Sequence, residues 1–268
     1  MSTHCPNEFG PAWDRFTKEL VARVDAVWAD LHVGPGWMKV DRSRVTALDL
    51  ILDATIRICL AEHFSDMPVL SEETGLLNPI GDRGSTLAIV DPVDGTDSLI
   101  EGKGTWWVSV GVLQAGVPVA GLIYQPVSKR LHTASRPHVD ASPGFIVGLS
   151  PDQLTADESA TIRTRLLAHG ANLVSTPHAA EKVAAVVEGR AAATVYLPST
   201  KSPSWHVWDV AGGISIAEAN GLVLRTLSGR ELRLDPAQAE QRDPWMCASD
   251  EATWDAVRQI VDDRDMLR

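Results

Sequence analysis

The sequence predicts an α/β protein, and three observations carry that prediction. The chain opens with two helix-length segments whose apolar residues recur every three to four positions. Between residues 86 and 134 it turns into short β-branched runs joined by tight turns. From residue 145 onward, strand-length and helix-length segments alternate, which implies helices layered on a sheet.

The first helix is expected over Phe9 to Leu31. Phe9, Trp13, Phe16, Leu20, Val24, Val27 and Leu31 line one face, with Asp14, Arg15, Lys18, Glu19 and Arg23 opposite. Gly34-Pro35-Gly36 breaks the chain before a short extended piece at Trp37 to Val40. Ser43 or Thr46 can cap a second helix running to about His63, with an apolar face of Val45, Leu48, Leu52, Ile56, Cys59 and Leu60. Asp49 and Asp53 share one side of it, and Asp53 is expected to be solvated. Pro68 to Glu73 reads as a short strand ending in two glutamates that point to opposite faces.

After a loop at Leu77 to Ser85, the run Leu87 to Val90 is a buried strand. It should end at Asp91, because Pro92 cannot donate to a ladder. Trp106 to Leu113, Val117 to Tyr124 and Arg130 to Ala134 form an antiparallel meander. Arg136 to Pro143 is the candidate boundary, dividing the chain into halves 1–140 and 141–268.

In the second half, strands are expected at Phe145 to Leu149, Leu173-Val174, Ala192 to Leu197, Leu222 to Arg225 and Glu231 to Leu234. Helices are expected at Thr155 to His169, with Asp157 and Glu158 in the first turn, at Ala179 to Glu188, and at Trp208 to Asn220 before the C-cap Gly221.

At 268 residues the chain can bury roughly 70–75% of its unfolded surface. A hydrophobic content of 44% and charged content of 22% are ordinary for a soluble globular protein. No apolar run approaches the roughly 20 residues needed to cross a bilayer, and the first ten residues do not read as a signal peptide. Cys5, Cys59 and Cys247 are odd in number and far apart, which argues for reduced thiols and a cytoplasmic location. A net charge of −11 argues against nucleic acid as a partner, yet allows a phosphorylated metabolite where cations reverse the local sign.

The chemistry concentrates in Asp91-Pro92-Val93-Asp94-Gly95-Thr96. An Asx-rich turn after a strand explains the aspartate pair by itself. Two carboxylates projecting from one tight turn also make a natural site for a hard divalent cation. The amides of Gly95 and Thr96, opening a short helix, can hold an anion. Elsewhere, Glu72-Glu73 read alone are a charged loop start, and Asp209 in the first helical turn reads as a cap. Carboxylates with waters favour magnesium over a softer metal.

Taken together these segments carry a resemblance. Asp91-Pro92-Val93-Asp94-Gly95-Thr96, Val45-Thr46 ahead of Asp49, and Trp208-Asp209-Val210-Ala211 ahead of Gly213 resemble three signatures of the inositol monophosphatase superfamily, in the right order. Ser71-Glu72-Glu73 preceded by Pro68-Val69-Leu70 looks like the bacterial 3′(2′),5′-bisphosphate nucleotidase branch.

The resemblance spans Asp41 to about Leu234. It implies a layered α/β/α/β/α sandwich of the inositol monophosphatase and fructose-1,6-bisphosphatase type, lithium sensitivity, a possible homodimer, and two or three Mg2+ ions. Glu72, Asp91 and the carbonyl of Val93 would hold the first ion. Asp91, Asp94 and Asp209 would hold the second, and Glu72 a weaker third. Asp49 and Thr96 would order the attacking water, with Glu72 in the catalytic set. Gly95, Thr96 and Asp209 would meet the substrate; Asp97, a departure from the family pattern, could contact a substrate hydroxyl or bind a further cation.

Lys182 stands where the nucleotidase branch carries a lysine. Lys182 and Lys201 could read a second phosphate or be surface lysines. Tyr196, Trp205 and His206 could stack on a base or simply pack. Asp97-Ser98-Leu99 departs from both branches by adding charge beside the phosphate site, and the segment between Ala134 and Phe145 is shorter than usual.

The function implied is a Mg2+-dependent phosphomonoesterase acting on a small phosphorylated metabolite, with a bisphosphate nucleotide foremost. Inositol phosphate, nucleoside monophosphates and sugar phosphates remain alternatives. From another class, so does an inactive metal- or phosphate-binding regulator.

Overall fold

A computed structural model describes residues 10–31, 34–40, 43–65, 67–77, 86–135, 144–155, 159–200 and 202–261. Cys5, Phe9, Asp41, the loop core at 78–85, the expected boundary at 136–143, Asp157, Glu158 and Lys201 lie outside the described residues.

Helix α1 (Gly10–Asp30) buries Trp13, Phe16, Leu20 and Val24, the periodic face of the sequence. A two-stranded ribbon, β1 (Trp37–Met38) and β2 (Arg44–Val45), leads to α2 (Ala47–His63). Thr46 supplies the cap of α2, its hydroxyl accepting from the Leu48 amide at 3.1 Å.

A six-stranded sheet follows: β3 (Val69–Ser71), β4 (Gly75–Leu77), β5 (Thr86–Asp94), β6 (Trp107–Gln114), β7 (Val117–Gln125) and β8 (Arg130–Thr133). Its order is β4-β3-β5-β6-β7-β8, with β3 and β5 parallel and every other pair antiparallel. Strand β5 runs past Asp91 to Asp94 because the ladder tolerates Pro92 in a bulge. Asp91 pairs with Ser109 and Asp94 with Trp107, so β5 carries one extra residue there.

The short helix α3 (Thr96–Ile100) leaves this strand. The remaining elements are β9 (Ile146–Leu149), α4 (Pro151–Thr155), α5 (Ala160–Ala168), β10 (Asn172–Ser175), α6 (Ala179–Val187), β11 (Ala193–Tyr196), β12 (Trp205–His206), α7 (Val207–Ala219), β13 (Val223–Thr226), β14 (Glu240–Gln241), β15 (Trp245–Ala248) and α8 (Glu251–Val261). A second sheet has the order β10-β9-β11-β15-β13.

Two expectations are corrected here. Helix starts at Pro151, a favoured first helical residue, ahead of the expected Thr155. Glu231 to Leu234 makes one bridge, Glu231 to Arg225, rather than a strand. The partner of β13 is instead β15, whose Trp245, Met246, Cys247 and Ala248 are all buried, while Leu232 and Leu234 pack as side chains on the core.

The layers stack in five. Helices α1 and α2 cover one face of the six-stranded sheet. Helices α6 and α7 lie between its other face and the second sheet. Helices α5 and α8 cover the far side. Among the described residues no helix is long and apolar enough to cross a membrane.

Candidate active site

The acidic residues gather where β5 ends under the middle helices. Asp91 is 1% exposed and Asp94 8%. Asp91 Oδ1 accepts from the Val93 amide at 3.0 Å, which holds the bulge. Asp94 Oδ2 accepts from the Ala180 amide at 2.8 Å, in the first turn of α6. Asp209 Oδ2 accepts from the His206 amide at 2.8 Å and closes the first turn of α7. Among the described residues, each of the three places only one carboxylate oxygen in a hydrogen bond.

Close packing brings Asp209 there. A Cβ on Gly212 would stand 2.6 Å from both the Leu122 carbonyl oxygen and Ser109 Oγ. The small residues of the Ala211-Gly212-Gly213 segment therefore let α7 settle onto β6 and β7. That is the physical content of the third signature.

The electrostatics are those of crowded anions. Burial raises Asp91 well above the carboxylate range, and the charges of Glu72, Asp94 and Asp209 raise it further. Burial lifts Asp94 to about 7 against the pull of the Ala180 amide, with Glu72 adding to the lift. Asp209, partly buried, is raised by desolvation and then by Asp94.

Beside them Lys39 Nζ bridges Glu72 at 2.9 Å and Glu73 at 2.7 Å. Burial alone would depress the Lys39 ammonium, but the charge and hydrogen bond of Glu72, followed by those of Glu73, hold it above its ordinary value. Glu73 is the more enclosed of the two glutamates, its side chain 3% exposed against 20% for Glu72, and burial pushes it up to about 7.

A second group adjoins the first. Thr96 Oγ1 donates to Asp49 Oδ1 at 2.8 Å, and Asp49 Oδ2 accepts from the Thr46 amide at 2.8 Å and its hydroxyl at 2.5 Å. The Val93 carbonyl lies 3.3 Å from Thr96 Oγ1. Gly95 precedes α3 at φ 108°, a conformation that favours glycine, and a Cβ there would meet the His178 ring at 2.5 Å. His178 Nε2 lies 2.8 Å from Ser98 Oγ, and burial lowers the imidazole to about 4, with Lys182 adding to the effect.

The structure thus brings Glu72, Asp91, Asp94 and Asp209 into mutual electrostatic range, and joins Asp49 to Thr96. It sets others apart. The Asp97 side chain is 73% exposed and faces Arg44 at 3.4 Å. Lys182 is no surface lysine: it is 1% exposed, and its ammonium turns inward to the Thr176 carbonyl at 2.6 Å. Desolvation lowers that ammonium to about 7. Tyr196 stacks on Trp245 and Trp205 is buried, both packing residues, while His206 stacks on Trp208. Asp53 is not solvated. It is 1% exposed, accepting from Ser71 Oγ at 2.6 Å and pairing with Arg57 at 3.0 Å.

Sequence reasoning assigned no role to Lys39 or His178. For Lys39 no local cue existed, since its partners lie 33 and 34 residues away, and for His178 the cue was its place as the residue before α6.

A divalent cation fits this chemistry. Among the described residues no three His, Cys, Asp or Glu side chains close into a cage. However, the acidic groups offer hard oxygens, strain against one another, and each aspartate keeps an oxygen outside its backbone bond.

The five-layer fold, with carboxylates and a Gly-Thr turn at the joint of its sheets, defines a phosphoric monoester hydrolase. The chain belongs to the inositol monophosphatase family, whose model matches residues 38–260. It is 29% identical over 215 residues to the 3′(2′),5′-bisphosphate nucleotidase CysQ of Salmonella typhimurium, covering 75% of this chain and 83% of that one. It is 28% identical over 220 residues to inositol monophosphatase 1 of Solanum lycopersicum, covering 75% and 78%. Among solved structures, an IMPase/NADP phosphatase complexed with Mg2+ and phosphate aligns over 94% of this chain and 96% of that one, at TM-score 0.76 and 19% identity. The suhB protein of Bartonella henselae aligns over 95% and 98%, at TM-score 0.72 and 20% identity.

Proposed function

We propose that this hydrolase removes phosphate from a small phosphorylated metabolite, a bisphosphate nucleotide first among them, with the help of divalent cations held by Glu72, Asp91, Asp94, Asp209 and the Val93 carbonyl. The observation that carries the reading is the convergence of Asp91 and Asp94 from β5 with Asp209 from α7, each raising its neighbours' affinity for positive charge. Bound there, Mg2+ would neutralise phosphoryl charge and acidify water at neutral pH.

The chain's own groups do the rest. Asp94 and Asp209 are fixed by the Ala180 and His206 amides, so their free oxygens need little reorganisation. Thr96 commits its hydroxyl proton to Asp49, which leaves its oxygen lone pairs to orient the incoming water by accepting from it. Asp49, braced by Thr46, can take the proton that Thr96 passes on. The amides of Gly95 and Thr96 are suited to the phosphate oxygens.

The nucleotide assignment draws on the similarity to CysQ of Salmonella typhimurium. A nearly equal identity to the tomato inositol monophosphatase keeps inositol phosphate as the second reading. Phosphate release from adenosine 3′,5′-bisphosphate, nucleoside monophosphates, inositol 1-phosphate and sugar phosphates, with Mg2+ and with chelator, tests both. Chelator-insensitive turnover would overturn the metal role, and preferred turnover of inositol 1-phosphate would overturn the nucleotide assignment.

A further inference from the structure

Asp94 sits in a closed circuit of contacts. In the β5–β6 ladder it pairs with Trp107. The Trp107 indole Nε1–H donates to Glu181 Oε2 at 3.0 Å. Glu181 is the next residue after Ala180, whose amide donates back to Asp94 Oδ2 at 2.8 Å. Strand, indole, carboxylate and amide therefore form a ring joining the six-stranded sheet to the first turn of α6.

Burying Glu181, 5% exposed, is costly unless it is compensated. Arg130 Nη2 meets its Oε2 at 3.0 Å and Arg190 Nη1 its Oε1 at 2.8 Å. The Arg130 guanidinium also lies 4.8 Å from the Trp107 ring centroid, so it braces the indole as well as the carboxylate. The same turn of α6 carries His178, which packs on Gly95 and reaches Ser98. One helix start thus contacts both an acidic residue of the site and the turn that follows it.

We infer that Glu181 is a positioning residue for the cation site: held by Trp107, Arg130 and Arg190, it fixes the Ala180 amide against one oxygen of Asp94 and so presents the other to the metal. The inference rests on the proposal that Asp94 is a ligand. Partners that orient metal-ligating carboxylates commonly govern affinity by about 10–100-fold.

The test is calorimetric titration of Mn2+ into the metal-free full-length chain without substrate, for wild type, Asp94→Asn, Glu181→Gln and Trp107→Phe, with the Tm of each metal-free protein alongside. The expected result is loss of the strongest binding in Asp94→Asn and about tenfold weaker binding in both Glu181→Gln and Trp107→Phe. At saturating metal their KM for a phosphate ester should stay at the wild-type value. A merely structural role would lower the Tm and leave the Mn2+ affinity within about twofold of wild type. That result, with Asp94→Asn no longer binding, overturns the role of Glu181 and leaves Asp94 standing. Wild-type binding by Asp94→Asn overturns the Asp94 reading and this inference with it.

Discussion

Two clusters of buried and partly buried carboxylates meet helix α6 at adjacent residues, and they are built on opposite principles. Ala180 serves the first, donating to Asp94 among Asp91, Asp209 and Glu72. Glu181 belongs to the second, where it and Glu188 are matched by Arg130, Arg190 and His132. In the first cluster burial and like charge lift Asp94 to about 7. In the second, burial would also lift Glu188, yet hydrogen bonds from His132 and Arg190 and the charges of both arginines bring it down to about 2. A cluster that serves structure carries its own cations. In the first cluster Lys39 reaches Glu72 alone of the four, and Asp91, Asp94 and Asp209 are left facing one another, an arrangement suited to a cation supplied from outside.

The largest effect should come from Asp94→Asn. Loss of charge neutralisation by a bound ion is worth several kcal/mol of barrier, so phosphate release should fall roughly 10³-fold. The same change removes repulsion among buried carboxylates, so the metal-free Tm should rise. In wild type, Mg2+ at about 100 times its Kd should add about 2.7 kcal/mol of stability, and the variant should gain much less. A metal-free Tm that falls would break the contrast between the clusters.

The matched cluster should answer with the other sign. Arg130→Gln withdraws a guanidinium from Gln125, Glu181 and Glu188 and should cost about 1.5–3 kcal/mol in denaturant unfolding. An unchanged midpoint would mean that this cluster is no more structural than the first. Slightly smaller is Gly212→Ala. Its Cβ must displace the Leu122 carbonyl or α7, at about 1–3 kcal/mol. Because Asp209 rides on α7, turnover should drop along with stability. Full activity in that variant would show that the depth of α7 does not set the site.

Legibility followed how local each signal was. Asp91 and Asp94 were readable because strand, turn and both carboxylates sit within four residues, and the Thr46 cap because capping is local. The end of β5 was misjudged because a bulge depends on the partner strand, which sequence pattern does not specify. Asp53, expected to be solvated, and Lys182, for which a surface position was one of two readings, are both buried for a shared reason. Both belong to helices whose polar positions read as solvated from the pattern. Yet residues 180–187 of α6 are buried on every side between two sheets, and Asp53 is turned onto Ser71. Strand β15 is only four residues long and lacks alternation, since it lies in the sheet interior between β11 and β13. Lys39 meets Glu72 across 33 residues, a tertiary contact no local window contains.

The gentlest test of the comparison is the acid limb of the matched cluster. Glu188 has a folded pKa of about 2, below its ordinary 4.5, so its ionised form is the one the fold stabilises. Its contribution is therefore complete above about pH 4.5 and is lost as the pH falls toward 2. The chelated wild-type protein should lose stability across that window faster than Glu188→Gln does. With allowance for the partial exposure of the cluster, the two should differ by roughly 2–4 °C in Tm at neutral pH. They should converge below about pH 2, where the carboxyl is protonated in both states. A Tm difference that stays constant from pH 5 to pH 2 would show that Glu188 contributes packing rather than charge. The clusters would then differ in degree of burial and not in how their charge is balanced.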